Sequence, residues 1–226
     1  MKNLQYLNLF GNNKLSNLEG IEVLTSLNDL TIGYNNFESF PMEIMYLKNL
    51  KRLSLEGLNF KSFPDSFFIA GLPIERLQMS NMRRFDYASN LSKFHELNNL
   101  RELYLQDNIP KLNIDFEKCE NLETFGYGYK KNINIVDILN RIAKAPKLKE
   151  LILGYNNIRY LPQNLVLPDS LEKLYLFNNN IKKLPVKITK YTNLKTIDLH
   201  DNPIDTTAIK KIEKEMVNTK FYYDGK

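Results

Sequence analysis

The sequence predicts an α/β solenoid in which short parallel strands line one wall and single helical turns return along the other. Three observations predict it. An apolar frame recurs nine times, the recurrences lie 22 to 26 residues apart, and a proline-marked segment follows the strand in four of them. Fixed-period self-similarity of this length is the mark of stacked repeats. The frame reads Leu27-x-x-Leu30-x-Ile32-x-x-Asn35-x-Phe37, and again from Leu148 to Ile158, from Leu171 to Ile181 and from Leu194 to Ile204. Its copies start at residues 4, 27, 50, 74, 100, 122, 148, 171 and 194. We number places from each start, so that places one, four and six are apolar or aromatic in every copy.

Each element follows from a place in the frame. Places four and six flank one outward side chain, the period of two of a strand. No repeat can bury its own leucines, but stacked neighbours close a continuous core, and each buried leucine contributes about 1.5–3 kcal/mol. The ninth-place asparagine ends the strand, where its amide can pair turn backbone that burial would leave unpaired at about 1–3 kcal/mol per group. Behind the strand come Phe40-Pro41-x-x-Ile44, Phe63-Pro64-x-x-Phe67, Leu161-Pro162-x-x-Leu165 and Leu184-Pro185-x-x-Ile188. Proline sets φ near −65° and opens a helical turn, so short 3₁₀ or α turns are expected there.

Departures from the frame are informative. Place nine is Leu58, Met82 and Lys130 in three repeats, repeat one carries an extra residue at Asn12-Asn13, and Pro110 falls at place eleven of repeat five. In the long sixth repeat, Ile135, Leu139 and Ile142 lie at helical spacing between Asn134 and Pro146, which predicts an α-helix. After residue 204, Asp205 is placed to cap a helix carrying Ile209, Ile212 and Met216 on one face, with a short strand at Phe221-Tyr222-Tyr223. The expected organisation is therefore a repeat array over residues 1–204 and a C-terminal helical cap over 205–226. No cap precedes Leu4. Leu4, Leu7, Leu9 and Leu18 are expected along an unpaired edge, which natural proteins cover with upstream residues or a partner.

The frame resembles the leucine-rich repeat family, and the resemblance spans almost the whole chain. The Leu/Phe-Pro-x-x-apolar segments and a spacing near 23 resemble bacterial and intracellular members. The resemblance implies a right-handed superhelix bent into a horseshoe, with about nine parallel strands on its concave side. It also implies a cytoplasmic protein, or a bacterial cell-surface or secreted one should an N-terminal segment precede these residues.

Composition bounds the function. The 226 residues are 43% hydrophobic and 25% charged, with net charge +5, as in ordinary folded domains. No apolar run reaches the ~18 residues of a membrane span. The single cysteine, Cys119, excludes internal disulfides and cysteine-based zinc clusters, and His95 and His200 are the two histidines. No phosphate loop, Gly-x-Ser-x-Gly or His-Glu-x-x-His occurs. Cys119 reads as a small buried hydrophobe and His200, beside Asp198 and Asp201, as a surface residue. We therefore expect no enzyme, no cofactor and no small-molecule substrate.

Function must then lie on the outward strand places three, five, seven and eight. Gly33-Tyr34, Gly128-Tyr129 and Gly154-Tyr155 share places seven and eight, and Tyr104, Ile152, Tyr175 and Phe177 extend an aromatic stripe. Tyrosine offers large contact area with a polar tip, as interfaces favour. Nine strands about 4.8 Å apart make a face of roughly 40 Å, enough for a standard interface. The expected partner is a protein or peptide meeting Tyr34, Arg52, Arg76, Tyr104, Tyr129, Ile152, Tyr155, Lys173, Tyr175 and Phe177. An alternative is a piece of a larger bacterial surface or effector protein serving adhesion or host interaction. Nucleic acid is a further alternative, because residues 127–226 hold 18 basic and 10 acidic side chains against 13 and 16 before them. Outward places nonetheless carry an acidic excess, Asp107 included, whereas phosphate tracking needs a contiguous basic groove.

Overall fold

Every one of the nine frames forms its strand at place three, two residues after its start. The computed structural model describes residues 3–106, 109, 111–129 and 133–225, so Asp107, Pro110 and Lys130 lie outside the described residues. Contacts gather the protein into two compact units, residues 1–115 and 116–226. The first holds β1 (Tyr6–Asn8), β2 (Asp29–Thr31), β3 (Arg52–Glu56), β4 (Arg76–Ser80) and β5 (Glu102–Gln106). They pair parallel in sequence order, like place against like place: Tyr6 opposite Asp29, Asp29 opposite Arg52, Arg52 opposite Arg76 and Arg76 opposite Glu102.

The second unit holds β6 (Thr124–Gly128), β7 (Glu150–Ile152), β8 (Lys173–Tyr175), β9 (Thr196–Asp198) and β10 (Lys220–Tyr222), again parallel and in register. The strand expected at 221–223 is β10, and it completes a tenth, abbreviated copy of the frame. Phe221 and Tyr223 are its buried residues and Gly225 stands at its eighth place with φ 79°.

The returning wall follows the prolines. In all four segments the N–H of the apolar residue donates to the proline carbonyl three residues back, from Ile44 (3.2 Å), Phe67 (2.9 Å), Leu165 (3.0 Å) and Ile188 (3.0 Å). All four side chains are fully buried. Where a helical element is formed, at Met42–Tyr46, α1 (Asp65–Ile69) and Val186–Lys190, the proline stands just ahead of it as the N-cap, in extended conformation. The α-turn α2 (Tyr87–Asn90) is capped by Asp86, whose carboxylate accepts from the Ser89 hydroxyl and from the N–H groups of Ser89 and Ala88; those bonds hold its pKa below the usual carboxylate range. The helix of the long repeat is α3 (Ile135–Ile142), capped by Asn134 through the N–H of Asp137. The terminal helix α4 (Thr206–Glu215) is capped by Asp205, with Ile209, Ile212 and Met216 buried.

The asparagine places explain how the turns are paired. Asn179 Oδ1 accepts from the N–H groups of Asn156 (3.1 Å) and Ile158 (2.9 Å), places nine and eleven of the preceding repeat. Its Nδ2 donates to the carbonyls of Leu153, Leu176 and Phe177. Asn202 repeats the pattern toward Ile181, Leu176, Leu199 and His200. Asn35 departs from it: its Nδ2 donates to Leu9, but its buried Oδ1 has no partner. The extra residue of repeat one is the cause. Leu15 takes the place-eleven position, accepting from the N–H of Asn36 as Ile158 accepts from Asn180, but its own N–H is diverted to the Asn12 carbonyl at 2.8 Å.

One expectation at the N-terminal edge is corrected. Leu4, Leu7 and Leu9 are half-buried, but Leu18 is 5% exposed. Its N–H bonds Glu43 Oε1 of the next repeat at 3.3 Å, which tucks this residue beneath the neighbouring coil.

Two outcomes follow. Asn179→Ala should lower stability in urea denaturation by about 3 kcal/mol or more, because it orphans several buried backbone groups, and Asn35→Ala by about 1 kcal/mol; equal losses would contradict the ladder. Burial raises the Tyr127 phenol to about 12 from its ordinary 10. The folded state thus holds the proton more tightly, so this contribution is complete below pH 10 and is lost as pH rises from 10 towards 12. Tyr127→Phe should flatten the fall in urea midpoint measured over that alkaline range.

Candidate functional site

Place eight dictates the geometry of the exposed strand face. There the backbone leaves the strand, and its N–H still reaches the next repeat: Gly11 to Gly33 (2.9 Å), Tyr34 to Glu56 (2.7 Å), Gly57 to Ser80 (2.9 Å) and Asn178 to His200 (2.9 Å). Keeping that bond while turning requires left-handed backbone. Gly11, Gly57, Asn81, Asn178, Asp201 and Gly225 all have φ between 52° and 80°, and these residue types tolerate it. Tyr34, Tyr129 and Tyr155 occupy the same place at φ 51°, 64° and 59°. A bulky side chain there costs of order 1–3 kcal/mol.

In the second unit the strained tyrosines form one group. Tyr129 and Tyr155 stack with ring centroids 5.0 Å apart and planes 5° from parallel, and Phe177 meets Tyr155 edge-on at 5.6 Å. Tyr129 is 55% and Tyr155 46% exposed. Phe177 lies over Gly154, where any Cβ would collide with its ring, and a Cβ at Gly128 would stand 3.0 Å from the Gly154 carbonyl. At Gly154 the glycine therefore makes room for a ring from the next repeat and the tyrosine beside it presents one, whereas at Gly128 the close neighbour is backbone.

Beside this group, Ile152 and Tyr175 oppose each other on β7 and β8, both half-buried. Burial, then the charge of Glu150, pushes the Tyr175 phenol up. Lys173 bonds Glu150 at 3.1 Å, which raises its ammonium pKa. His200 Nδ1 lies 2.9 Å from Asp198 Oδ1 and its ring 6.0 Å from that of Tyr222. Among the described residues no group of three His, Cys, Asp or Glu is arranged to hold a metal ion, and no helix is long and apolar enough to cross a membrane.

In the first unit Tyr34 has a different companion. Phe10, 48% exposed, meets it edge-on at 5.1 Å and covers Gly33, while Tyr34 covers Gly57 and its hydroxyl accepts from Asn81 Nδ2 at 2.8 Å. Arg52 is turned to Asp29 (2.7 Å) and Asn28 (3.2 Å). Arg76 is turned the other way, to Glu102 (3.1 Å) and over the Tyr104 ring at 4.6 Å.

The residues expected along the stripe fall into three groupings, each described within its own unit. Tyr129, Tyr155 and Phe177 come together with Ile152 and Tyr175 alongside, Tyr34 joins Phe10, and Tyr104 belongs with Arg76 and Glu102. Phe10 is not among the partner-binding residues expected from the sequence, although its place-seven position equals that of Phe177. The left-handed backbone is likewise absent from those expectations, although Gly, Asn and Asp at six of the place-eight positions signal it.

Comparison with known proteins agrees with this architecture. A family profile described as Leucine Rich repeats (2 copies) matches residues 169–211. Adenylate cyclase of Schizosaccharomyces pombe is 28% identical over 142 residues, 60% of this protein and 8% of the cyclase. A leucine-rich repeat protein of Leptospira interrogans superposes with TM-score 0.54 at 23% identity, over 97% of this protein and 66% of that one. Internalin C2 of Listeria monocytogenes gives TM-score 0.48 at 22% identity, over 96% of this protein and 80% of its own length. The protein therefore spans under a tenth of the cyclase and about two thirds of the Leptospira protein, and the likeness to the Leptospira structure concerns the fold.

The glycine–ring packing is testable. Gly154→Ala should displace Phe177 and cost about 1–3 kcal/mol of stability, seen as a lowered urea midpoint and a changed near-ultraviolet aromatic signal. An unchanged midpoint would show that the ring does not rest on this backbone.

Proposed function

The protein is a leucine-rich repeat protein, and we propose that it is a non-catalytic binding module that takes a protein or peptide ligand on its exposed strand face. One observation carries this reading. The two stacked, half-exposed tyrosines of the second unit occupy, as Tyr34 does in the first, left-handed backbone that glycine, asparagine or aspartate occupies in the other described repeats. Strain of that kind persists where the side chain has a use beyond folding. Stacked aromatics at the rim of a sheet are rigid, amphipathic anchors, the residues that dominate protein interfaces.

In our reading Lys173 is a polar contact beside the anchors of the second unit, and in the first unit Tyr34 serves as Tyr129 and Tyr155 do, with Arg52, Arg76 and Tyr104 as polar contacts of that unit. The charges speak against a nucleic-acid face. Of the second unit's lysines, Lys144, Lys149, Lys173, Lys183 and Lys195 each pair with a carboxylate, which reduces the cations that phosphates could follow.

The test separates binding from folding. Tyr129→Asn together with Tyr155→Asn installs the residue that Asn81 and Asn178 already place at this position. The double variant should keep its melting temperature within roughly 5 °C, since relief of strain offsets lost stacking. Peptides selected from a displayed random library on the wild-type protein should bind it at least about tenfold more weakly. Equal affinity for both proteins would overturn the reading, and a large fall in melting temperature with affinity intact would make the tyrosines a covering of the sheet.

A further inference from the structure

Neighbouring strands in this protein carry charges of opposite sign wherever both carry one, with a single exception among the described pairings. Asp29 opposes Arg52, Arg76 opposes Glu102 and Glu150 opposes Lys173. The place just before the strands obeys the same rule, through Lys51–Glu75 (2.8 Å), Lys149–Glu123 (2.8 Å) and Lys195–Glu172 (2.7 Å). The exception is Arg52, which lies directly opposite Arg76 on adjacent parallel strands. Like charges in direct opposition destabilise a sheet.

The two side chains relieve that repulsion by leaning apart. Arg52 bonds Asp29 on one side through Nε and Asn28 through Nη2; Arg76 bonds Glu102 on the other through Nη1. Between them opens a cleft of about 330 Å³, lined by Tyr6, Asp29, Thr31, Leu53, Ser54 and Gln78 together with the two arginines. Arg52 Nη1 and Arg76 Nε and Nη2 make no hydrogen bond among the described residues, nor do the side chains of Thr31, Ser54 and Gln78. The first unit thus presents two guanidinium groups on adjacent strands, each with unused N–H donors, across a cleft of neutral polar groups whose lining carboxylate, Asp29, is already engaged by Arg52.

We propose that this cleft is a carboxylate-recognition site. A carboxylate entering it accepts from the unused N–H donors of both guanidinium groups, the charge-assisted geometry arginine is suited to. The carboxylate is supplied by an acidic side chain of a peptide or by the free C-terminus of a polypeptide. The proposal rests on the reading of the strand face as a ligand surface and adds the chemical class of the ligand in the first unit, at residues separate from the tyrosine pair of the second.

The experiment is a titration of the 226-residue protein, followed through the arginine Nε–Hε resonances. Three probes are used: end-blocked pentaglutamate, end-blocked pentaglutamine, and a neutral peptide with a free C-terminus. One of the two carboxylate probes should bind at least about tenfold more tightly than pentaglutamine, shifting Arg52 and Arg76 and weakening with added salt. Pentaglutamate as the tighter binder assigns the site to acidic side chains, and the neutral free-ended peptide assigns it to a polypeptide terminus. Arg52→Gln with Arg76→Gln should abolish that preference while the melting temperature stays within roughly 5 °C. Equal binding of all three probes, or a preference that survives the double substitution, would overturn the carboxylate site. Either result leaves the aromatic face to stand or fall on the Tyr129 and Tyr155 variants.

Discussion

The turn after each strand buries more backbone than it can pair by itself, and the ninth-place asparagine meets that deficit from the next repeat. Asn179 ties two N–H groups of the repeat before it and three carbonyls into one amide, at a residue that is 6% exposed. Leucine burial between coils supplies the larger favourable term, but it is indifferent to register. The amide is not, because its donors and acceptors fit one alignment of neighbours. Repeat one shows the converse: a single extra residue diverts one N–H and leaves Asn35 Oδ1 unpaired within the fold.

The same alignment creates the exposed surface. Keeping a place-eight N–H bonded to the adjacent repeat forces left-handed backbone at that point, and the repeat then chooses between residues that suit it and residues that strain it. Where glycine or asparagine stands, the position is silent. Where tyrosine stands, an aromatic ring is held at the strand rim by backbone on both sides, and glycines at Gly33, Gly57 and Gly154 give neighbouring rings room to lie flat. Strain and exposure coincide at Tyr34, Tyr129 and Tyr155, which is why the binding surface is read there and not from aromatic content alone.

Charges on the strand edges act at a smaller scale. Most are exposed pairs worth about 0–1 kcal/mol each, and their value is in discouraging misaligned stacking. Arg52 and Arg76 sit in the same rows as those pairs but gain nothing from each other, so their adjacency has a different origin from the alternation around it.

Much of this was legible in one dimension. Apolar spacing located the strands, the proline segments located the returning turns, and Asn134 and Asp205 marked the caps of α3 and α4, because each depends on residues close together in sequence. The burial of Leu18, the orphaned oxygen of Asn35 and the pairing of Tyr34 with Phe10 were not legible. Each depends on which side chains about 23 residues apart become lateral neighbours and how their rotamers share the space between strands. The sequence by itself determined the repeat, its core and its turns, since burial and hydrogen bonding act on a local pattern. Only the tertiary structure decided that Arg52 turns to Asp29, Arg76 to Glu102 and Tyr155 to Phe177, since those choices are made between coils, where no spacing along the polypeptide records them.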